Sequence, residues 1–255
     1  MGKAILKGLQ ETSYFSDIYC IDPKGEDAFT DEVFTPEHIF TDLQDAPPSD
    51  ILLLAVKPQI LHKIKDDIQS YLEPETAIWS IAAGVSIPKF ETYFGSLRQI
   101  CRIMPNMPAS IGKGVFAGCH NGLPTEASTL VETCLKEIGH FVWVKDDTQI
   151  DIVTALSGGA PAYYYLFSDI MARAAHELGM DLDTAQTLIR ETMVGSGAVL
   201  ENDKDKSFED LITQVASPGG TTREALNIFN NGDFEKNVTD ALTAAFRRGQ
   251  ELSED

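Results

Sequence analysis

The first half of the chain alternates short apolar runs with stretches in which apolar residues recur every three or four positions. The runs predict strands at residues 18–21, 51–56, 77–83, 99–104 and 141–144. Helical spacing follows Pro58, a favoured first-turn residue, and returns between Leu130 and Ile138, while Ser86 is a predicted N-cap for a further helix. This alternation is typical of a parallel sheet covered by helices, so we predict an α/β fold.

The pattern changes between residues 146 and 151, after which strand-like runs stop. From there to Leu252 nearly every segment has helical character, interrupted by turns rich in glycine or acidic residues. Tyr163, Phe167 and Met171 are spaced for a buried helix. We therefore predict two domains, an α/β domain over 1–147 and an all-helical domain over 148–255.

The chain begins with a segment that resembles the first helix of a dinucleotide-binding fold. Ile5 and Leu9 share one face, but no strand comes before this helix. In a Rossmann fold a glycine-rich turn joins the first strand to such a helix, and we interpret Gly2 as the last glycine of that turn. Asp22, about twenty residues on, has the position of the acidic residue that binds a ribose hydroxyl. A loose terminal glycine and an ordinary turn residue before Pro23 are the alternatives.

Three small-residue stretches follow the predicted strands, at Ala55–Pro58, Ile81–Val85 and Arg102–Ala109. In open α/β sheets ligands bind at the carboxyl ends of strands, and Ala, Gly and Pro let a ligand approach the backbone closely. Ordinary turn chemistry is the alternative for any one of them.

The helical half contains a glycine-bearing loop at Ala216–Ala225. Thr221 and Glu224 have the spacing of a capping box, which predicts that a helix N-terminus points into this loop. Free N–H groups there, with the hydroxyls of Ser217, Thr221 and Thr222, form a candidate anion site. A capped helix without a ligand is the alternative.

Composition narrows the function further. The 255 residues include 20 Lys+Arg and 39 Asp+Glu, giving a net charge of −19, which disfavours nucleic acid and anionic membrane surfaces as partners. The five histidines and four cysteines show no metal-ligand spacing, so we expect no metal and interpret the cysteines as reduced structural thiols. We expect a cytoplasmic protein that acts on a small molecule.

The ordered motifs AVKP, AAGV, MPNMP, GGAPAY and SPGGTT, spread from Ala55 to Thr222, resemble those of Δ1-pyrroline-5-carboxylate reductases. The resemblance runs from Gly2 to about Leu252. It implies an NAD(P)-binding Rossmann domain and a helical substrate-binding domain through which subunits dimerise and assemble further. It also implies an NAD(P)H-dependent oxidoreductase of proline biosynthesis that reduces the cyclic imine 1-pyrroline-5-carboxylate to L-proline.

The resemblance assigns site residues by their match to these motifs. The expected cofactor-binding residues include the N-terminal glycine, the aspartate and members of the strand-end loops described above. They are Gly2, Asp22, Ala55, Val56, Lys57, Pro58, Ile81, Ala82, Ala83 and Asn106. The expected substrate-binding residues are Ser217, Gly219, Gly220, Thr221 and Thr222, of which Thr222 is the expected catalytic residue. The choice between NADPH and NADH stays open, since Asp22 favours NADH whereas Lys24 favours a 2′-phosphate.

Two alternatives remain at this stage. β-Hydroxyacid dehydrogenases resemble this architecture but use a lysine of the helical domain as proton donor, and no lysine lies between Asp151 and Asp203. A non-catalytic member of the family that only dimerises is the second alternative, because the family's first strand and most of its G-x-G-N-M-G turn do not precede Gly2. On that basis we expect weakened cofactor binding.

Overall fold

The computed structural model describes residues 1–10, 12–29 and 36–254. The chain divides into two compact units. The first unit consists of residues 1–159 and 245–255, and the second unit of residues 160–244. The division into compact units falls after Gly159. The boundary between functional domains that the sequence places at 147/148 stays a prediction.

Strands and helices alternate through the described part of the first unit. The strands are β1 Cys20–Ile21, β2 Ile39–Phe40, β3 Ile51–Leu54, β4 Ala77–Ser80, β5 Ile100–Met104, β6 Gly114–His120 and β7 Gly139–Trp143. The helices are α1 Gly2–Gln10, α2 Pro58–Tyr71, α3 Ile87–Phe94, α4 Thr125–Lys136 and α5 Asp147–Val153. The predicted N-cap is confirmed, because the Ser86 hydroxyl accepts a hydrogen bond from the Lys89 N–H at 3.4 Å.

Five strands form one sheet in the order β3-β4-β5-β6-β7. Neighbours run parallel except β5 and β6, which pair antiparallel with Arg102 opposite Cys119. The strands β1 and β2 form a separate parallel pair in which Cys20 is opposite Ile39. The predicted Rossmann-type α/β fold is therefore confirmed, with one antiparallel pairing that the sequence did not indicate.

The strand β6 was missed by the sequence analysis. It carries glycines at both ends of its apolar run, and glycine weakens a strand signal. A Cβ atom at Gly118 would lie 2.8 Å from the Phe141 ring and 2.9 Å from the Trp143 ring. The glycine is needed because two aromatic side chains of β7 pack against the β6 backbone.

The core of the first unit has two layers, one on each face of the sheet. One cluster joins Leu54, Ile78 and Ile100 to side chains of α2 and α3, including Phe90. The other joins Cys101, Ile103 and Phe116 to α1 and α4. The amphipathic helix α1 buries Ile5 and Leu9 there, as the sequence pattern predicted. Burial of both faces explains why the strands read as continuous apolar runs rather than alternating ones.

The second unit contains only helices and turns, and all of its residues are described. The helices are α6 Ala160–Glu177, α7 Leu182–Asn202, α8 Phe208–Val215, α9 Thr221–Asn231 and the first half of α10 Phe234–Glu254, whose second half belongs to the first unit. The predicted change to an all-helical pattern is confirmed. Among the described residues, no helix has the length and apolar character needed to cross a membrane.

Candidate active site

Two of the predicted cofactor loops lie at the same edge of the main sheet. The segment Ala55–Pro58 follows β3, and the segment Ile81–Val85 follows β4. Because these strands are parallel neighbours, their carboxyl ends meet, and the Ile81 N–H donates to the Leu54 carbonyl at 3.0 Å. The structure therefore brings together the two loops that sequence reasoning had identified separately.

The N-terminus of α1 adjoins the first of these loops. A Cβ atom at Gly2 would lie only 2.7 Å from the Cβ of Ala55. The absence of a side chain at residue 2 thus allows the helix to begin directly beside the end of β3. The first N–H groups of an α-helix lack intrahelical acceptors and favour anions, so this place fits a dinucleotide phosphate.

The second loop turns through a glycine with a left-handed backbone. Gly84 has φ +75°, a conformation that favours glycine, and a Cβ atom there would lie 2.8 Å from the Cβ of Leu252. The end of α10 therefore packs on the turn that follows Ala82 and Ala83. A larger residue at position 84 would displace either the turn or the helix.

Asn106 begins the loop after β5, and its side chain is used within the protein. Its Oδ1 accepts the Val115 N–H at 2.8 Å, while its Nδ2 lies 3.3 Å from the Ser157 hydroxyl. Ser157 belongs to a single π-helical segment, Thr154–Gly158, and such segments are frequent at functional sites. The amide of Asn106 thus fixes this segment to β6, and its expected cofactor contact stays a prediction.

Arg102 is a buried cation that the sequence analysis did not single out. Its side chain is 2% exposed, and its Nη1 and Nη2 each lie 2.7 Å from a carboxylate oxygen, of Asp147 and Asp151 respectively. Asp147 also accepts the Ile87 N–H at the start of α3. This network, Arg102 with Asp147 and Asp151, ties β5 to α5 and to the helix after the Ile81–Val85 loop. An arginine within an apolar strand run was the signal for it.

Asp22 lies at the end of β1, on the separate pair of strands. Its Oδ1 accepts the Lys24 N–H at 3.0 Å, an arrangement that is typical of a turn. Its backbone N–H donates to the Phe40 carbonyl at 3.0 Å. Asp22 therefore does occupy a turn. Its expected contact with a ribose hydroxyl stays a prediction.

The loop of the second unit, Ser217–Gly220, leads into α9 as expected, but without a capping box. The N-cap is Gly220, whose position has no side chain, and Thr221 is the first helical residue. The sequence prediction was wrong because the helix begins one residue earlier than the Thr221 and Glu224 spacing requires. The loop instead closes on itself, since the Gly220 N–H donates to the Ser217 carbonyl at 3.0 Å.

This loop leaves several donors without an internal partner. Within the described residues, the hydroxyls of Ser217, Thr221 and Thr222 and the N–H groups of Thr221 and Thr222 form no hydrogen bond with the protein. Ser217 and Thr221 are exposed and Thr222 is half-buried. Donors of this kind at a helix N-terminus suit a carboxylate.

The cysteines have no reactive role in the strand-end loops of the first unit or in the Ser217–Thr222 segment. All four are free and buried, and burial raises the pKa of Cys20, Cys119 and Cys134 to about 12 and that of Cys101 further. Their thiols are therefore unreactive at neutral pH. Among the described residues, no group of three or more His, Cys, Asp or Glu side chains has the arrangement of a metal site.

The mainly parallel sheet, its strand-end loops and the helical second unit define the class of Rossmann-type nucleotide-binding proteins with a helical C-terminal domain. A family model described as pyrroline-5-carboxylate reductase dimerisation matches residues 147–252. The chain is 34% identical to a pyrroline-5-carboxylate reductase of Pasteurella multocida, over 99% of this chain and 94% of the relative.

Solved structures agree with this comparison. The pyrroline-5-carboxylate reductase of Coxiella burnetii superposes with a TM-score of 0.89 at 30% identity, covering 99% of this chain and 94% of that one. The pyrroline carboxylate reductase of Plasmodium falciparum, solved with NADP bound, gives a TM-score of 0.84 at 26% identity, with the same coverage. The chain belongs to the pyrroline-5-carboxylate reductase family.

Proposed function

We propose that this protein reduces 1-pyrroline-5-carboxylate to L-proline at the expense of NADPH or NADH. The observation that supports this most directly is the Ser217–Thr222 segment, whose unengaged N–H and hydroxyl donors suit a small carboxylate. The family comparison supplies the chemistry, since relatives covering nearly the whole chain have this activity in their names. The protein acts as a homo-oligomer, in keeping with the dimerisation family matched over 147–252, and we place it in the cytoplasm.

The first unit is the part of the chain that fits the cofactor. Gly2 at the start of α1 would hold the phosphates, and Asp22 a ribose hydroxyl. The strand-end loops would border the rest of the cofactor, through Ala55, Val56, Lys57, Pro58, Ile81, Ala82, Ala83 and the loop of Asn106. When bound, NADPH or NADH supplies the hydride for the reduction. The close approach of Gly2 to Ala55 is the structural feature that supports this assignment.

The second unit would bind the imine. The N–H groups of Thr221 and Thr222, with the Ser217 hydroxyl, hold the substrate carboxylate, and the glycines at 219 and 220 let it approach the backbone. The substrate's ring nitrogen is protonated, so the imine carbon is already electrophilic. As hydride adds to that carbon, the π electrons of the C=N bond move to nitrogen, and the proton stays there. Thr222 Oγ1 accepts a hydrogen bond from this N–H and orients the ring, so no strong acid is needed.

The test is imine-dependent oxidation of NADPH and of NADH by the intact protein and by Thr222→Ala. We expect kcat/KM for the imine to fall about tenfold in the variant, the effect of losing one hydrogen bond to a polarised group. Thr222→Ser should recover most of the loss because it restores the hydroxyl. Thr192→Ala is the matched control, since the Thr192 hydroxyl only bonds the Leu188 carbonyl on α7. A protein without imine-dependent turnover would refute the function, and unchanged kcat/KM in Thr222→Ala would exclude Thr222 from it.

A further inference from the structure

Arg223 is the third residue of α9 and bends back over the loop that precedes the helix. Its Nη2 donates to the Ala216 carbonyl at 2.8 Å. Ala216 is 1% exposed and is the residue immediately before Ser217. This hydrogen bond therefore joins the two ends of the Ser217–Thr222 segment, one at the last turn of α8 and the other at the first turn of α9.

The loop between these ends is short and tightly turned. Gly219 has φ +73°, in the left-handed region, and the Gly220 N–H closes the turn on the Ser217 carbonyl. Among the described residues, the bond from Arg223 is the only side-chain hydrogen bond to the segment from Ala216 to Thr222; the other bonds that hold it are between backbone groups. The spacing between Ser217 and the Thr221 and Thr222 N–H groups thus depends on this guanidinium.

Arg223 also occupies a position that helix energetics disfavours. The N-terminus of a helix carries partial positive charge, so a cation in the first turn is unfavourable. Between Lys206 and Lys236 it is the sole basic residue of the sequence, in a protein with a net charge of −19. A residue that breaks a local rule is a typical sign of a functional constraint, and here the return is the hydrogen bond to the Ala216 carbonyl beside the loop.

We propose that Arg223 is a positioning residue for the substrate carboxylate, which acts by holding the Ala216 carbonyl and thereby the Ser217–Thr222 donors. The proposal rests on the function proposed above. Its positive charge also offsets, near the loop, the repulsion that an acidic protein exerts on an anionic substrate. Arg223 itself need not contact the substrate, since its guanidinium is engaged with the protein backbone.

The test compares two imines in steady-state assays with NADPH. One is 1-pyrroline-5-carboxylate and the other is 1-pyrroline, which has the same ring and no carboxylate. For Arg223→Ala we expect KM for the carboxylated imine to rise about tenfold, as for the loss of one charge-assisted hydrogen bond. We expect KM for NADPH and kcat/KM for 1-pyrroline to stay within about twofold of the unmodified protein. Arg223→Lys should recover part of the loss.

Lys236→Ala is the matched control. Lys236 is likewise the third residue of a helix in the second unit, and its ammonium pairs with Asp240 on the surface. This variant removes the same charge and should leave KM for the carboxylated imine, KM for NADPH and kcat/KM for 1-pyrroline unchanged. Since alanine is a better helix former and removes an unfavourable charge, these gains offset part of the lost hydrogen bond, and we expect Arg223→Ala to fold. If it does not fold, Arg223→Met replaces it with the same expected split between the two imines.

Two outcomes separate this inference from the function on which it rests. An equal loss on both imines, or a loss shared by KM for NADPH, would overturn the role of Arg223 while leaving the reductase assignment intact. If the unmodified protein itself handled both imines with equal kcat/KM, the assignment of the Ser217–Thr222 segment to the carboxylate would fail instead.

Discussion

The two units bury their apolar side chains in opposite ways. In the first unit both faces of the sheet are covered, and side chains such as Ile78, Phe90 and Phe116 have no exposed surface. In the second unit, the only buried residues are three alanines, at 172, 185 and 216, which are 1–3% exposed. Large apolar residues on its helices stay exposed, Leu166 by 59% and Leu200 by 43% among them. The first unit thus has a complete core of its own. The second unit has enough large apolar side chains for a core, but within one chain it does not bury them.

From this difference we expect the assembly interface to lie in the second unit. Monomeric proteins seldom expose contiguous apolar surface on this scale, and obligate dimers cover it with a second copy. The dimerisation family match spans 147–252 and so includes the whole second unit. Within this unit Phe167, Phe229 and Phe234 pack their rings at centroid distances of 5.3–6.1 Å, yet each stays more than one-third exposed. We therefore expect a partner subunit to cover this aromatic cluster.

The largest expected effect is loss of assembly. Replacing both Leu166 and Ile170 on α6 by Asp would place two charges on the exposed apolar face, where desolvating them is costly. By multi-angle light scattering we expect the unmodified protein at twice the 28.0 kDa chain mass or a larger multiple, and the double variant as a monomer or unfolded. Leu97→Asp is the control, because Leu97 is the fully exposed residue of a loop in the first unit and its replacement should leave assembly intact. A monodisperse monomer of the unmodified protein would contradict the comparison.

The next effect sharpens the first half of the comparison. Arg102→Leu would leave the carboxylates of Asp147 and Asp151 without their cation, and breaking such a buried pair costs about 3–5 kcal/mol. Both tryptophans, Trp79 and Trp143, lie in the first unit, so their fluorescence in a denaturant titration follows that unit alone.

We expect the tryptophan transition of Arg102→Leu to move to markedly lower denaturant. Lys65→Leu is the matched control, because the exposed pair of Lys65 and Asp66 contributes about 0–1 kcal/mol at most. An unchanged transition in Arg102→Leu would mean that the buried network does not stabilise the first unit.

The two units also differ in how far sequence could predict them. The apolar runs predicted β3, β4, β5 and β7 and the change to helices, because both depend on local periodicity. They did not predict β6, since Gly118 is there for the packing of Phe141 and Trp143, which are distant in sequence. The loop of the second unit was located by its small residues, but its N-cap was placed at Thr221 rather than Gly220. Which donors a loop leaves free depends on backbone geometry that composition does not determine.

Side chains that act through long-range contacts were likewise beyond the sequence. Arg102 pairs with residues 45 and 49 positions away, and Asn106 reaches Ser157 at a separation of 51. Arg223 could have been identified from the sequence, because a basic residue in the first turn of a helix is unusual once the start of the helix is known. Motifs therefore located the loops, while the structure was needed to find the residues that hold them.

The smallest expected effect concerns pH and again belongs to the first unit. His120 ends β6, and its Nδ1 accepts the N–H groups of Gly122 and Leu123 at 3.0 and 2.9 Å, which requires a neutral ring. Burial lowers the pKa of His120 from its usual value. The unfolded chain therefore binds a proton at this histidine more readily than the folded chain. The contribution of the neutral ring to the stability of the first unit is complete above the ordinary histidine pKa of about 6.5, and it is lost as pH falls through the lower pKa of the folded state.

His120→Asn offers an acceptor that does not titrate, so between pH 7.5 and pH 5 its tryptophan transition should move less than that of the unmodified protein. Carboxylates that titrate in the same range affect both proteins equally and cancel in the comparison. Equal shifts of the tryptophan transition in the two proteins would show that the ring nitrogen contributes nothing to the turn. A change in oligomeric state with pH, without a change in the tryptophan transition, would place the titrating group in the second unit instead.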